Sequence, residues 1–253
     1  MKQHFTLRKC LIWLFWLLLW QGASLAVSNN VILVGPAEML RSLLFQAGNP
    51  SFWITILHSF GRISLGFLAA FAAGIAAGSL AYALPFIHEL LDPLLSAVKS
   101  IPVASFVILA LIWIGSENLS VFIAFLVVVP MIYSSTLAGL KSADRRLLEM
   151  ARVFSMPFWK RLRFIYIPAV LPYLMNGCRT ALGMSWKSGI AAEVIGIPGQ
   201  SIGEQLYYAK LYLDTAGLFA WTFVIILASS AFEALFLWLL GRIRRSSGGR
   251  LLS

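Results

Sequence analysis

Between Lys141 and Arg163 the chain carries seven basic residues (Lys141, Arg145, Arg146, Arg152, Lys160, Arg161 and Arg163) against two acidic ones, Asp144 and Glu149. Five more charges interrupt long apolar runs: Lys99, Arg179, Lys187, Glu193 and Glu233. A charge in such a run is costly and by default marks a polar path or a pairing. Arg179 and Lys187 are eight residues apart, which puts them on roughly one helix face. Two cations beside a broken helix could guide an anion. The alternative is interhelical pairing with Glu193, Asp92 or Glu233. Catalytic chemistry has no comparable foothold. His4, His58 and His88 are far apart, and His88-Glu89 is followed at the critical place by Asp92 instead of a second His. No G-x-x-x-x-G-K-[ST] phosphate loop exists; Lys187-Ser188 is preceded by Trp186. Cys10 and Cys178 have neither CxxC nor metal spacing, so no disulfide framework and no metal site is expected.

The elements that must carry these residues follow from composition. Of the 253 residues, 60% are hydrophobic and only 12% charged, about half the charge a water-facing surface normally has. Mean hydropathy is +0.84. These values exclude a soluble enzyme, a disordered tail and a DNA-binding module, and leave an all-α polytopic membrane protein. At about 20 residues per helix, the length allows six spans. The expected spans are about 10–27, 60–84, 87–115, 119–140, 164–190 and 216–241, with an extramembrane loop at 141–163.

Several local features refine this plan. The first run also has the layout of a signal peptide, with Ala23-Ser24-Leu25-Ala26 as a cleavage context, but its bulk (Trp13, Trp16, Trp20) favours an uncleaved span. Pro36 opens a short amphipathic helix that ends at Gly48-Asn49-Pro50. Gly74 and Gly78 give the second span a small-residue face for close packing. Pro102 breaks the third span beside Lys99, and such a break is tolerated at membrane depth only where protein or a watery cavity surrounds it. A kink is expected at Pro130 in the fourth span. In the loop, Ser142 or Asp144 can cap a helix whose apolar face is Leu147, Leu148, Ala151 and Phe154, and Ser155-Met156-Pro157 ends it.

Charge asymmetry sets the orientation. Lys2, Arg8, Lys9, the seven basic residues of 141–163, and Arg242, Arg244, Arg245 and Arg250 fall on one side. Arg41 and Lys210 fall on the other, with Arg62 near it. The basic side is expected in the cytoplasm, with both termini and the loop there. Such a loop, with an apolar face, a charged rim and a rigid connection to two spans, suits docking into a cytoplasmic partner. A basic amphipathic helix lying on anionic lipid has the same chemistry.

The loop resembles the signature of permease subunits in bacterial binding-protein-dependent ABC importers. That pattern is Glu-Ala-Ala, three residues, Gly, nine residues, Ile, one residue, Leu-Pro; here it reads Glu149-Met150-Ala151, Ser155, Ile165 and Ile167-Pro168. The spacing is kept, while Met150, Ser155 and Ile167 depart from it. Gly readily takes left-handed geometry and Ser does not, although Ser can cap the following helix. Further stretches resemble the nitrate/sulfonate/taurine branch: Ser59-Phe60-Gly61-Arg62-Ile63, Gly66-Phe67, Leu91-Asp92-Pro93-Leu94, Ile101-Pro102-Val103-Ala104 and 177–193. Phe106-Val107 departs, where many members have Pro-Leu. The likeness covers about residues 36–241.

The resemblance implies a multi-pass permease of the bacterial plasma membrane, working as a homodimer by alternating access. Its implied partners are a cytoplasmic ATP-binding subunit, which holds ATP and Mg, a second permease copy, an external substrate-binding protein and the lipid bilayer; no nucleic acid and no cofactor in this chain are expected. Asp144, Arg145, Arg146, Glu149, Met150, Ala151, Arg152 and Ser155 are the implied ATPase-coupling residues. Lys99, Pro102, Arg179, Lys187 and Glu193 are the expected translocation path, and the solute is expected to be small and sulfonate- or nitrate-like. An ion-gradient-driven secondary transporter is the competing reading.

Overall fold

The computed structural model describes the backbone of residues 2–248 and the side chains of residues 9 and 11–242. Lys2, Arg8, Arg244, Arg245 and Arg250, which carry part of the orientation argument, lie outside the described side chains, as do His4 and Cys10. Every regular element among the described residues is helical. In chain order these are α1 (Lys2–Val27), α2 (Pro36–Ala47), α3 (Pro50–Ala83), α4 (Pro85–Ser100), α5 (Val103–Ile114), α6 (Leu119–Lys141), α7 (Arg145–Val153), α8 (Phe158–Arg161), α9 (Ile167–Gly196), α10 (Ile202–Leu211) and α11 (Thr215–Gly248).

Among the described residues, three helices are long and apolar enough to cross a bilayer: α3, α6 and the Thr215–Arg242 part of α11. The pair α4 and α5 meets the same test together, bent by 105°. Leu11–Val27 is apolar but shorter. α9 has the length, 30 residues, but carries Arg179, Lys187 and Glu193. α3 starts ten residues before the expected second span, because Pro50 opens a helix that then runs unbroken for 34 residues, about 51 Å. α6 passes through Pro130 without ending.

The chain forms two compact units. One runs to Ser59 and takes up Ile197–Leu227; the other comprises Phe60–Gly196 and resumes at Ala228. In the first unit, α2 starts where the Glu38 carboxylate accepts from the Gly35 N–H at 3.0 Å. Trp20 Nε1 donates to the Val34 carbonyl (2.9 Å), and the Ile202 N–H donates to Ser59 Oγ (2.8 Å). Ser201 caps α10 by accepting from the Glu204 N–H. Phe52 meets Trp221 at 4.9 Å between ring centroids.

In the second unit, α6 packs along both α3 and α9. Gly74 and Gly78 make the α3 approach: a Cβ on Gly74 would lie 2.7 Å from Ile132 Cβ, and one on Gly78 2.8 Å from Thr136 Cβ. The small-residue face of the second span is therefore filled by α6. On α9, Gly177 lies against Ser135, and a Cβ on Gly139 of α6 would come 2.7 Å from Val170 Cα. Phe67 is fully buried, 4.9 Å from Phe236 and 5.6 Å from Phe232 in edge-on geometry. Val107, Ala110, Leu119, Ile123 and Ala192 close a further core between α5, α6 and α9.

Candidate functional site

α7 is built by local rules. Of the two candidate caps it is Asp144 that works: its Oδ1 accepts from the Arg146 N–H at 2.8 Å. Arg145 and Arg146 follow at the positive end of the helix, where cations are unfavourable by about 0.3–1 kcal/mol each, and the Asp144 carboxylate offsets part of this. Arg152 sits in the last turn, where a cation is favourable.

The helix ends in a Schellman turn. Ser155 takes φ +48°, the Ser155 N–H donates to the Arg152 carbonyl (2.9 Å), and the Met156 N–H donates to that of Ala151 (2.8 Å). The serine thus adopts the left-handed geometry that glycine would take most easily. It does not cap the next helix: Pro157 occupies that place, with no side-chain hydrogen bond.

The apolar face of α7 divides in two. Ala151, only 1% exposed, packs with Ala143 and Ile165, joined by Leu148 and Met156. Leu147, Met150 and Phe154 point outward, Phe154 with 75% of its surface free. The single face expected from sequence is corrected accordingly: Leu148 and Ala151 fasten the helix, while Leu147 and Phe154 belong to an outer ridge. The spacing 147, 150, 154 is i, i+3, i+7, one stripe of a helix. Glu149, Arg145 and Arg152 border a cavity of about 570 Å³ with Lys141 and Tyr82. From α8 the chain enters α9 through one wide π turn, Leu162–Tyr166.

A second constellation surrounds the break between α4 and α5. Pro102 sits at the bend, taking φ −58° and ψ 124° as the residue before α5. Lys99 Nζ donates to Ser134 Oγ (2.9 Å), which itself donates to the Pro130 carbonyl (2.8 Å). Lys99 lines a cavity of about 490 Å³ with Pro130, Ser135, Gly177, Thr180 and Met184. Arg179 and Lys187 are both exposed on α9, whereas Glu193 is fully buried. Among the described residues, no ion pair joins Lys99, Arg179 or Lys187 to a carboxylate; Arg62 pairs with Glu117. Structure therefore brings Lys99 to a cavity formed with α6 and α9, keeps Arg179 and Lys187 exposed, and buries Glu193.

Sequence reasoning missed the partners Ser134, Ser135 and Thr180. Gly177 was the available signal, since it lets Ser135 of α6 come close. It also missed His88, whose Nδ1 is 3.2 Å from Tyr133 Oη and whose Nε2 is 3.3 Å from Lys141 Nζ. Both ring nitrogens are thereby engaged. Among the described residues, no three His, Cys, Asp or Glu side chains gather as a metal site requires.

Comparison with known proteins gives a consistent result. Residues 66–246 match the family described as binding-protein-dependent transport system inner membrane component. The taurine transport system permease protein TauC of Escherichia coli is 30% identical over 199 residues, 74% of this chain and 72% of that protein. The nitrate import permease protein NrtB of Synechocystis is 27% identical over 235 residues, 84% of each chain. The bicarbonate transport system permease protein CmpB of Synechococcus elongatus is 31% identical over 186 residues, 68% of this chain and 66% of its own. A crystal structure of an amino acid ABC transporter with histidines shares the fold, with a TM-score of 0.58 at 18% identity over 78% of this chain and 94% of that one.

Proposed function

This chain belongs to the family of binding-protein-dependent transport system inner membrane components, and we propose that the solute it passes, as the permease of an ABC importer, is a small oxyanion. Taurine, nitrate and bicarbonate, which the relatives' names give, each present an oxyanion group. The observation that carries the reading here is Lys99. It stands at a helix break, in a cavity lined otherwise by neutral groups, with its ammonium held by a hydroxyl and not by a carboxylate. A cation kept in that way retains its attraction for an anion, and Thr180 adds a hydroxyl to the same cavity. Arg179 and Lys187 extend the positive field along α9. Glu193 is buried and lies outside the path in this reading.

Energy comes from a separate ATP-binding subunit on the cytoplasmic face. Its contact is the outer ridge Leu147, Met150 and Phe154, oriented by Arg145, Arg146, Glu149 and Arg152. Asp144, Ala151 and Ser155 hold the helix that presents the ridge: one caps its start, one packs it inward and one turns the chain after it. Movement of the ATPase shifts α7, and the connection through α8 passes the displacement to α9. A second permease copy completes the pathway, an external protein delivers the solute, and the termini face the cytoplasm. Family membership displaces the ion-gradient-driven alternative.

The test is uptake into vesicles holding the chain with its ATP-binding subunit and binding protein. ATP-dependent accumulation of an oxyanion, competed by other oxyanions and lost in Lys99→Met, is the expected result. Accumulation of a neutral or cationic solute with undiminished rate in Lys99→Met would defeat the proposal.

A further inference from the structure

The first compact unit holds a cavity of about 680 Å³ that is not used by any step above. It is within the range of ligand pockets. Its wall combines Phe45, Tyr208, Tyr212 and Trp221 with Thr55 and Asp214. Among the described residues no lysine, arginine or histidine lines it, so its chemistry is opposite to that around Lys99.

Two features set the character of the wall. Thr55, 5% exposed, lines this cavity. Phe45 and Tyr212, by contrast, expose most of their surface at the rim, and Tyr208 and Tyr212 stack at 6.2 Å. Such rings offer apolar and π surface to whatever enters the hollow.

The ligand class follows from charge. Asp214 Oδ1 accepts from the Gly217 N–H (2.9 Å) and caps α11, which leaves the second carboxylate oxygen without a protein donor among the described residues. One carboxylate within an aromatic wall repels anions and attracts an organic cation, which gains from the ring faces as well as the charge. We propose that this cavity is a binding site for an ammonium group, carried either by a lipid headgroup or by a free small amine. The site is independent of the proposed oxyanion path.

Choline is the probe, titrated against the full chain in nanodiscs of phosphatidylglycerol and followed by equilibrium dialysis of the labelled compound. Its uncharged carbon analogue, 3,3-dimethylbutanol, has the same shape without the charge. Saturable choline binding is expected, with the analogue about tenfold weaker or more. Asp214→Asn keeps the helix cap, since Asn caps as well as Asp, yet weakens choline about tenfold and removes the preference over the analogue. Tyr208→Leu also weakens it. Absence of saturable binding, equal binding of the two probes, or an unchanged affinity in Asp214→Asn overturns the proposal. Phosphatidylethanolamine added to the nanodiscs assigns the source. Competition with choline identifies a headgroup as the occupant, and lack of competition identifies a free amine; in both cases the ammonium site stands.

Discussion

The Met156 N–H donates to the carbonyl of Ala151 at 2.8 Å, across a serine held at φ +48°. This bond closes the helix that presents Leu147, Met150 and Phe154. A non-glycine residue in left-handed geometry costs about 1–2 kcal/mol. Ser155→Gly therefore keeps uptake at or above its original rate and slows amide exchange at Met156. Ser155→Val, β-branched and ill-suited to that conformation, lowers uptake and speeds the exchange. Identical exchange in both variants would separate the turn from the coupling mechanism.

The two faces of α7 separate docking from folding. Phe154→Asp places a charge on the outer ridge and leaves the inward face alone, so the chain inserts normally but no longer holds the ATP-binding subunit in a pull-down. Ala151→Asp buries an unpaired charge against Ala143 and Ile165, which is strongly unfavourable. It abolishes transport and also opens the loop to protease, with membrane insertion intact. A Phe154→Asp chain that still co-purifies with its partner would refute the ridge assignment.

Lys99 distinguishes path from scaffold. Lys99→Met removes the ammonium and keeps most of the apolar stem, so uptake falls at least tenfold while assembly and ATP turnover persist. Lys99→Arg restores part of it, through its charge. Normal uptake by the Met variant contradicts the path, and loss of assembly would make Lys99 structural.

Close helix approach predicts a stability difference between glycines. Gly74→Ala introduces a Cβ only 2.7 Å from Ile132 Cβ, and overpacking of this kind costs about 1–3 kcal/mol. Gly183→Ala meets nothing within 4 Å and is neutral or slightly stabilising. Thermal unfolding of the purified chain should show a lowered midpoint for the first alone; equal midpoints would mean that α3 and α6 do not pack as described.

Much of the site was legible because it depends on neighbours in sequence. Asp144 ahead of a basic amphipathic stretch, Pro102 after Lys99, and the turn at 155–157 are local signals, and each lies where the pattern places it. What could not be read depends on partners far along the chain. Leu147 and Leu148 are equally apolar; only the position of Ile165 decides that the second faces inward. The residue before Pro102 must leave helical geometry, but that rule does not give the 105° between the two halves, of which α4 packs on α3 and α6 and α5 on α6 and α9. The hydroxyl that holds Lys99 lies 35 residues away, and no spacing rule joins them.

The wide turn at Leu162–Tyr166 has a consequence for evolution of the chain. A π turn holds one residue more than the α-helix it interrupts. Deleting a single residue there would let ordinary hydrogen bonding run from α8 into α9 with little rotation of what lies upstream, because the wide turn already takes up the extra residue. The outer stripe of α7 would keep its direction. A one-residue gap at this joint should be tolerated, whereas the same gap within α9 would rotate everything upstream by about 100°.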